Sequence, residues 1–410
     1  PVFWAATDDS DWEEASVTYV LTMRGLQILR PASARTDGIA MMDVPLGDVT
    51  EALAALRGAS GSAPHQHMLD EVASAYVPHA TVGAAYLQLL RALLEPLGIA
   101  VLDASHPALR AAADPFLRRA LGKSAAIAEQ LKERTASIRA AGFEPQVETM
   151  DALSLVFQSR IGSTGRQQER IRERVSVADA ARVAREAEVG TLGPNVLLRP
   201  VLERHLLPTM AYVAGPGEYA YFAQVAPVAN AIGASQPLAL PRWAGEVIET
   251  RSNRLRERLG ISEADLRDPH AVETELARAA LPEDAQDALE RLRVTLETQT
   301  MALRAAVAAD DGLVHPAVVD GLHRDFTHRL ERFERRVVGG VKRREDTLMR
   351  EIAHVRAAFQ PLGTSPERVL NLMPVLARHG NAVFDLMQTA ARPYSESIVH
   401  GLPHVPSSTG

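Results

Sequence analysis

The sequence predicts an α/β core built on a parallel sheet and followed by an antiparallel coiled-coil arm. Between Ala84 and Leu121, a helix, a glycine, a strand at 99–102, a polar loop and a second helix follow one another. This succession is typical of a doubly wound parallel sheet. From Ser262 onward the strand patterns disappear, and apolar residues recur every three or four positions as they do in packed helices. The chain therefore combines an α/β part with a helical part.

The composition excludes several classes of protein. The 410 residues are 46% hydrophobic and 23% charged, which is ordinary for a globular protein. Cysteine is absent from the sequence, so disulfides, a thiol nucleophile and cysteine-ligated metals are excluded. A net charge of −7 argues against nucleic acid as a partner, and the apolar runs are shorter than the roughly 18 residues that cross a membrane. We predict a cytoplasmic protein with neither partner.

The first element is the apolar run at residues 1–6, which predicts a buried strand. The strand ends in the acidic loop, Asp8-Asp9-Ser10-Asp11, and a helix begins at Trp12. A strand that is buried on both faces lies in the middle of a parallel sheet, with a neighbour on each side. We therefore expect an upstream βα unit and interpret the chain as N-terminally truncated.

The middle of the chain continues the α/β pattern. A proline predicts a helix break at Asp114-Pro115. The further predicted elements are a helix over 123–141, short strands at 146–148 and 154–157, a hairpin at 162–165, strands at 208–214 and 237–240, and a helix over 219–231. The glycine turn, Gly215-Pro216-Gly217-Glu218, joins the strand at 208–214 to the last helix. Such a turn presents backbone N–H groups to ligands in open α/β sheets.

Two apolar stripes at helical spacing define the arm. The first runs from Leu289 to Val307 and the second from Val319 to Phe359, with a hairpin turn at Asp310-Asp311-Gly312. An arm of this length does not cover both stripes within one hairpin, so we predict a homodimer that forms through it.

These patterns predict five segments along the chain. They are an incomplete α/β core at 1–122, a connecting insertion at 123–188, the rest of the core with the glycine turn at 189–261, the coiled-coil arm at 262–360, and a terminal segment at 361–410 that packs back on the core.

Two motifs carry candidate chemistry, and each has a structural alternative. The acidic loop could orient an amine, accept a proton or hold Mg²⁺, but it could also be the N-terminal cap of a helix. The glycine turn could bind a small anionic ligand, or it could be only a tight connection between strand and helix. The sequence leaves both alternatives open.

Several segments together resemble the bacillithiol biosynthesis cysteine-adding enzymes. In chain order they are the run from Val2 to Glu14, Val196-Leu197-Leu198-Arg199-Pro200, Leu207-Pro208-Thr209, the glycine turn with Tyr221-Phe222-Ala223-Gln224, Pro241-Arg242, the run from Pro366 to Asn371, and the run from Leu376 to Gly380. The resemblance implies a Rossmann-like parallel sheet with a core like that of class I aminoacyl-tRNA synthetases, with insertions and a coiled-coil dimerisation arm. It also implies the addition of L-cysteine to glucosaminyl malate, the last step to bacillithiol, and a bound nucleotide, ATP or ADP.

The resemblance and the two motifs together nominate site residues. The candidate catalytic residues are Asp8, Asp9, Asp11 and Glu218, of which Asp9 and Asp11 would orient or deprotonate the substrate amine. The candidate substrate-binding residues are Trp4, Trp12, Arg199, Thr209, Tyr212, Gly215, Pro216, Gly217, Tyr221 and Arg242. Ser10 stands where the family usually has histidine, and a glycine-rich segment of the family is missing. Two alternatives therefore stay open. The chain could be another nucleotide-using ligase or transferase, or it could be a catalytically impaired dimeric scaffold.

Overall fold

The computed structural model describes residues 1–32, 38–164, 167–262, 264–309 and 314–401. Contacts along the backbone divide them into two compact units. The first unit comprises the described residues of Pro1–Thr18, Leu29–Gly245 and Leu372–Gly410, and the second comprises those of Tyr19–Ile28 and Glu246–Asn371. This division is coarser than the five segments expected from the sequence, whose boundaries stay predictions.

The described residues form strands and helices in the following chain order. The strands are β1 (Val2–Ala5), β2 (Thr18–Thr22), β3 (Gly25–Leu29), β4 (Ala100–Asp103), β5 (Leu153–Thr164), β6 (Gln167–Ser176), β7 (Leu192–Pro194), β8 (Ala211–Ala214) and β9 (Leu238–Pro241). The helices are α1 (Trp12–Ala15), α2 (Thr50–Ser60), α3 (His67–Ala75), α4 (Val82–Leu94), α5 (Pro107–Gly122), α6 (Ser124–Ala140), α7 (Ala180–Glu186), α8 (Arg199–Leu206), α9 (Pro216–Ile232), α10 (Thr250–Leu259), α11 (Pro269–Ala279), α12 (Glu283–Ala309), α13 (Pro316–Arg344), α14 (Asp346–Phe359), α15 (Met373–His379) and α16 (Ala382–His400).

Two pairs of parallel strands lie in the first unit. Strand β1 pairs with β4, with Ala5 opposite Asp103, and β8 pairs with β9, with Ala214 opposite Pro241. Long connections that contain helices join the two strands of each pair, as parallel pairing requires. The predicted α/β class with parallel strands is therefore confirmed.

The predicted burial of the first strand on both faces is wrong. Val2 is 48% exposed and Phe3 is 37% exposed, whereas Ala5 is fully buried. The carboxyl end of β1 is thus the part that packs into the unit, and this is the end that leads into the acidic loop.

An antiparallel sheet with the strand order β6-β5-β7 completes the first unit. Strand β5 contains the predicted strand at 154–157 and continues to Thr164, where it begins to pair with β6 from Gln167. The turn of the predicted hairpin includes residue 165, which lies outside the described residues.

The predicted strand at 146–148 is wrong. The buried amide of Gln224 replaces a neighbouring strand there: Val147 N donates to Gln224 Oε1 at 3.1 Å, and Gln224 Nε2 donates to Val147 O at 2.8 Å. A side chain on α9 thus satisfies the backbone groups that a sheet would otherwise pair.

The predicted helix break at Asp114-Pro115 is also wrong, because α5 runs through Pro115 without interruption. A proline inside a helix costs roughly 3 kcal/mol. After this proline, Phe116, Leu117 and Leu121 of the same helix are each only 1% exposed in the main core cluster. Burying such side chains contributes about 1.5–3 kcal/mol each, which exceeds the cost of the proline.

In the second unit, α12 and α13 form the antiparallel arm. Arg304 Nε lies 2.8 Å from Asp320 Oδ1, Thr300 Oγ1 lies 2.8 Å from His323 Nδ1, and Arg293 Nη2 lies 2.5 Å from Glu334 Oε1. As the residue number on α12 decreases from 304 to 293, the number of its partner on α13 increases from 320 to 334. The two helices are therefore antiparallel. The predicted turn at Asp310-Asp311-Gly312 lies outside the described residues.

The second apolar stripe is not one helix, as the sequence pattern predicts. Helix α13 ends at Arg344 and α14 begins at Asp346, because Glu345 leaves helical geometry with φ −91° and ψ 50°. Ile352 and Val355 of α14 are fully buried in a cluster with Leu255 and Val272, whereas α13 packs along α12. The two halves of the stripe thus have different packing partners, and one straight helix could not contact both. Throughout the described part of the chain, no helix is both long and apolar enough to span a bilayer.

Candidate active site

A cavity of about 250 Å³ lies beside the carboxyl end of β1 in the first unit. Its lining combines both signs of charge with aromatic rings. The residues concerned are Asp8, Asp9, Arg110, Arg172, Arg174, Arg199, Trp4 and Phe157. A mixed cavity of this kind can hold a ligand that carries both an amine and carboxylates, since each finds an opposite charge.

The three carboxylates of the acidic loop have different surroundings. Asp8 lines the cavity, and its carboxylate has no hydrogen-bond partner among the described residues. Asp9 also lines the cavity, but its Oδ1 accepts from Ser10 N at 2.8 Å and lies 3.4 Å from Arg172 Nη1. Asp11 Oδ1 accepts from Glu14 N at 3.1 Å, so Asp11 caps α1. The structure therefore brings Asp8 and Asp9 to the cavity and uses Asp11 as a helix cap.

The two tryptophans of the first motif also separate. Trp4 lies on β1 and lines the cavity. Trp12 is only 7% exposed and belongs to a hydrophobic cluster with Val44, Leu46 and Val82. Trp12 therefore stabilises the packing behind the acidic loop.

The glycine turn binds its own glutamate. Gly215 N donates to Glu218 Oε2 at 2.9 Å, and the Tyr212 hydroxyl donates to Glu218 Oε1 at 2.8 Å. Glu218 thus caps the N-terminus of α9, beginning at Pro216, and Gly217 lies in its first turn. A Cβ on Gly215 would lie 3.4 Å from Arg242 Nε, so Arg242 is adjacent to the turn.

Arg199 connects the cavity to the glycine turn. It lines the cavity, and its Nη2 lies 3.5 Å from both Glu218 Oε1 and the Tyr212 hydroxyl. Its Nε lies 3.5 Å from Glu203 Oε1, one turn further along α8. Glu203 is not among the residues predicted from the sequence, although its spacing of four residues from Arg199 on one helix is a usable signal of an ion pair.

Two further predicted residues, Tyr221 and Thr209, differ in their relation to this network. Tyr221 is 4% exposed and stacks on Phe222 at 5.9 Å, and its hydroxyl has no hydrogen-bond partner within the described part of the chain. The carbonyl oxygen of Thr209 accepts from Arg204 Nη1, and Thr209 does not line the cavity. Tyr221 thus belongs to the buried network, whereas Thr209 belongs to the loop that precedes β8.

Burial dominates the electrostatics of the network. Burial raises the pKa of Glu203 to about 7, with Arg199 acting in the opposite direction and Glu218 adding to the rise. Burial also raises the pKa of Tyr212, so that this hydroxyl stays protonated and donates to Glu218. The network therefore holds a carboxyl group whose charge changes near neutral pH.

Replacing Glu203 with glutamine should remove a pH dependence of stability. The folded-state pKa of about 7 is above the unperturbed value of 4.5. Between these values the folded state binds more protons than the unfolded state, so the wild-type free energy of unfolding falls as the pH rises. From pH 5 to 8, the unfolding free energy of E203Q should therefore rise relative to wild type by about 2 kcal/mol, since one pKa unit corresponds to about 1.4 kcal/mol.

Urea unfolding of both proteins at pH 5, 6, 7 and 8 measures this difference. Glu186→Gln is the matched control, because Glu186 is exposed and pairs with Arg182 at the surface. Its unfolding free energy should run parallel to that of the wild type. Parallel curves for E203Q as well would show that Glu203 does not titrate in this range.

Arg172 is a further residue of the cavity that sequence analysis missed. It lies on β6, and its side chain reaches the acidic loop, which is more than 160 residues away in sequence. An arginine in an arginine-rich strand carries no local signal of this contact. Among the described residues, no group of three or more histidine, aspartate or glutamate side chains is arranged to hold a metal ion.

The parallel strand pairs, the cavity at a strand end and the helical arm define an α/β protein with a Rossmann-like domain and a coiled-coil domain. Comparison with family models also gives two domains, with a boundary close to Gly245, although the models leave residues 19–28 in the first domain and residues 372–398 in the second. The model described as "Bacillithiol biosynthesis BshC, N-terminal Rossmann-like domain" matches residues 1–243, and "Bacillithiol biosynthesis BshC, C-terminal coiled-coil domain" matches residues 246–398. The chain belongs to the bacillithiol biosynthesis BshC family, which confirms the resemblance inferred from the sequence.

Curated relatives agree with this assignment. A protein of Solibacter usitatus (strain Ellin6076) is 30% identical over 391 residues, which cover 93% of this chain and 72% of that protein. A protein of Koribacter versatilis (strain Ellin345) is 29% identical over 95% of this chain and 74% of its own length. A protein of Salinibacter ruber (strain DSM 13855 / M31) is 28% identical over 96% and 73%, respectively. Each is named "Putative cysteine ligase BshC".

Proposed function

We propose that this chain is a ligase that joins the carboxyl group of L-cysteine to the amine of glucosaminyl malate, in the last step of bacillithiol biosynthesis. Membership of the family and the names of the relatives support a cysteine ligase. The observation that carries the proposal is the cavity at the end of β1. There, the carboxylate of Asp8, which has no hydrogen-bond partner among the described residues, lies in one space with several arginines.

The new bond would join the amine nitrogen to the cysteine carboxyl carbon, and one carboxyl oxygen would leave with an activating group that a co-substrate such as ATP must supply. The amine must lose a proton as this bond forms, and a positioned carboxylate is a suitable acceptor. Asp8 is the group we assign to this task, since its oxygens are uncommitted among the described residues. The sequence assigned this proton transfer to Asp9 and Asp11, but Oδ1 of Asp9 accepts from Ser10 N and Oδ1 of Asp11 accepts from Glu14 N.

The arginines would bind the anionic part of the substrate. Malate carries two carboxylates, and a guanidinium group binds a carboxylate through two parallel hydrogen bonds. Arg199 lines the cavity directly, whereas Arg242 lies beside Gly215. We therefore assign carboxylate binding to Arg199 first and place Arg242 at the neighbouring glycine turn.

Only the resemblance to the family supports ATP or ADP as a bound nucleotide in this proposal. The glycine turn does not fit its phosphates in this conformation, because Glu218 places a carboxylate at the N-terminus of α9 and already binds Gly215 N. A second anion there would meet like charge. The residues named above act on the substrate amine and on the malate carboxylates, and no residue of the glycine turn is assigned to the nucleotide.

Incubation with cysteine, glucosaminyl malate and ATP tests the proposal, with mass spectrometry of the condensed thiol as the readout. The expected product contains one amide between the two substrates and depends on both. Consumption of ATP with other acceptors would indicate a different ligase or transferase on the same fold. A folded protein that forms no product would support the dimeric scaffold instead.

We also propose that the arm forms a homodimer. Apolar side chains remain exposed on both of its helices, among them Phe326 at 44% and Phe333 at 54%. Exposed aromatic and aliphatic surface of this extent is typical of an interface between subunits. A two-fold dimer is the simplest closed assembly that covers this surface.

Replacing Phe326 or Phe333 with aspartate should weaken the dimer by at least about tenfold in dissociation constant, because a charge would be buried at the interface. Sedimentation velocity across micromolar concentrations measures this change. Leu386→Asp is the control, since Leu386 is 70% exposed on α16, outside the arm, and this variant should remain dimeric. A monomeric wild-type chain at these concentrations would contradict the proposal.

A further inference from the structure

We infer that Arg172 is a positioning residue that holds the acidic loop at the edge of the cavity. Its guanidinium group bonds two segments that are distant in sequence. Nη1 donates to Asp8 O at 3.2 Å and to Asp9 Oδ1 at 3.4 Å, whereas Nη2 donates to Pro194 O on β7 at 2.7 Å. One side chain therefore joins the loop after β1 to the antiparallel sheet.

The environment of Arg172 suits arginine and not lysine. The side chain is only 12% exposed, and its guanidinium carbon lies 4.2 Å from the centroid of the Phe157 ring. A planar guanidinium can stack on a ring and donate in two directions at once, whereas an ammonium is a point donor on a flexible stem. The ring and the three acceptors together set the orientation of the group.

This contact sets the place of the Asp8 carboxylate. Asp8 Oδ2 lies 3.7 Å from the position that a Cβ on Gly193 would occupy, and Gly193 precedes the Pro194 that Arg172 binds. Arg172 thus sets the distance between the acidic loop and β7, and the Asp8 carboxylate lies between these two segments. Since Arg172 binds the backbone oxygen of Asp8, the Asp8 carboxylate stays available to a ligand.

The catalytic consequence rests on the proposed function, whereas the positioning itself rests on these contacts. If Asp8 accepts the proton of the substrate amine, a displacement of the loop by about 1 Å lowers turnover by about 100-fold. Substrate affinity depends on other arginines as well. The loss of Arg172 should therefore appear mainly in kcat.

Hydrogen exchange measured by mass spectrometry tests the positioning without any substrate. In Arg172→Ala, amides in the peptide that spans residues 6–15 should exchange about tenfold faster, because three hydrogen bonds to the guanidinium are lost. Arg174→Ala is the matched control. Arg174 lies on the same strand, its guanidinium carbon is 5.2 Å from the centroid of the same ring, and among the described residues it makes no hydrogen bond to the loop. Equal exchange of the peptide in Arg172→Ala and wild type would overturn the inference.

Steady-state kinetics of the ligation provide the second arm. We expect kcat of Arg172→Ala to fall by about 100-fold with KM within about threefold, and the loss to exceed that of Arg174→Ala at least tenfold. Free guanidinium should restore part of kcat in Arg172→Ala. The kcat of Arg172→Lys should stay low, because a lysine ammonium cannot stack on the Phe157 ring and donate in two fixed directions at once. An accelerated exchange without any loss of kcat would overturn the assigned role. An inactive wild type would contradict the proposed function, and hydrogen exchange would still decide the positioning.

Discussion

Replacing Arg199 with methionine should destabilise the first unit by about 3 kcal/mol and abolish ligation. Removal of one partner from a buried ion pair typically costs 3–5 kcal/mol, since the remaining charge stays buried without compensation. Glu203 is 8% exposed, and both it and Glu218 lie 3.5 Å from the guanidinium group. Without Arg199, the pKa of Glu203 would lose the charge that lowers it, so near neutral pH this carboxyl group would have to take up a proton beside Glu218. The cavity would also lose the arginine assigned to carboxylate binding.

Urea unfolding followed by tyrosine and tryptophan fluorescence measures the first effect, and product mass measures the second. The matched control is Arg182→Met. Arg182 also contacts two acidic residues, Asp179 and Glu186, but it is 48% exposed. Exposed pairs contribute about 0–1 kcal/mol, so this variant should unfold almost as the wild type does.

A double variant separates charge from packing in this network. Adding Glu203→Gln to Arg199→Met removes the buried carboxyl group that lost its partner. At pH 8, where keeping this group either charged or protonated costs free energy, about half of the lost stability should return. Activity should not return, because the guanidinium that binds the substrate is still missing. If Arg199→Met and Arg182→Met lose stability equally, the buried network does not stabilise the fold.

Replacing Asp8 with asparagine should lower kcat by about 100-fold or more and leave stability almost unchanged. General base catalysis by a positioned side chain contributes about 10²–10⁴-fold, and an amide cannot accept the proton. The side chain of Asp8 has no hydrogen-bond partner among the described residues, so its replacement by an isosteric amide breaks no contact there. A pH series of kcat/KM and thermal unfolding of the variant are the measurements.

Asp48→Asn is the control for the loss of one negative charge in the same unit. Asp48 is exposed, and its Oδ1 accepts from Thr50 N at 2.9 Å near the start of α2. It does not line the cavity, so kcat of this variant should match that of the wild type. A fall of kcat in Asp8→Asn that is no greater than in Asp48→Asn would remove Asp8 from the mechanism and return the assignment to Asp9.

Local patterns sufficed for much of the secondary structure and for part of the site. The strand that became β8, the glycine turn and the helix that became α9 follow from an apolar run, two glycines and helical spacing, all within 25 residues. Glu218 and Tyr212 also lie within this segment. Their hydrogen bond spans six positions, so a local argument could bring them together.

Elements whose state depends on a distant partner could not be predicted in the same way. Gln146 to Glu148 has the composition of a strand, but the Gln224 side chain, 77 residues away, pairs with Val147 instead. The apolar stripe from Val319 to Phe359 has nearly continuous helical spacing, but its last part packs on α10 and the helix ends at Arg344. Packing partners overruled the local pattern in both cases.

The sequence by itself determined the fold class, the family and the chain order of the elements, because these follow from periodicity, turn residues and short motifs. Only the tertiary structure decided which charged groups share the cavity. It placed Asp8 and Asp9 there, turned Asp11 into a helix cap, and added Arg172 from 163 residues away. The physical reason is that a charge acts over a few ångströms of space, whatever the separation along the chain, and packing alone sets those distances.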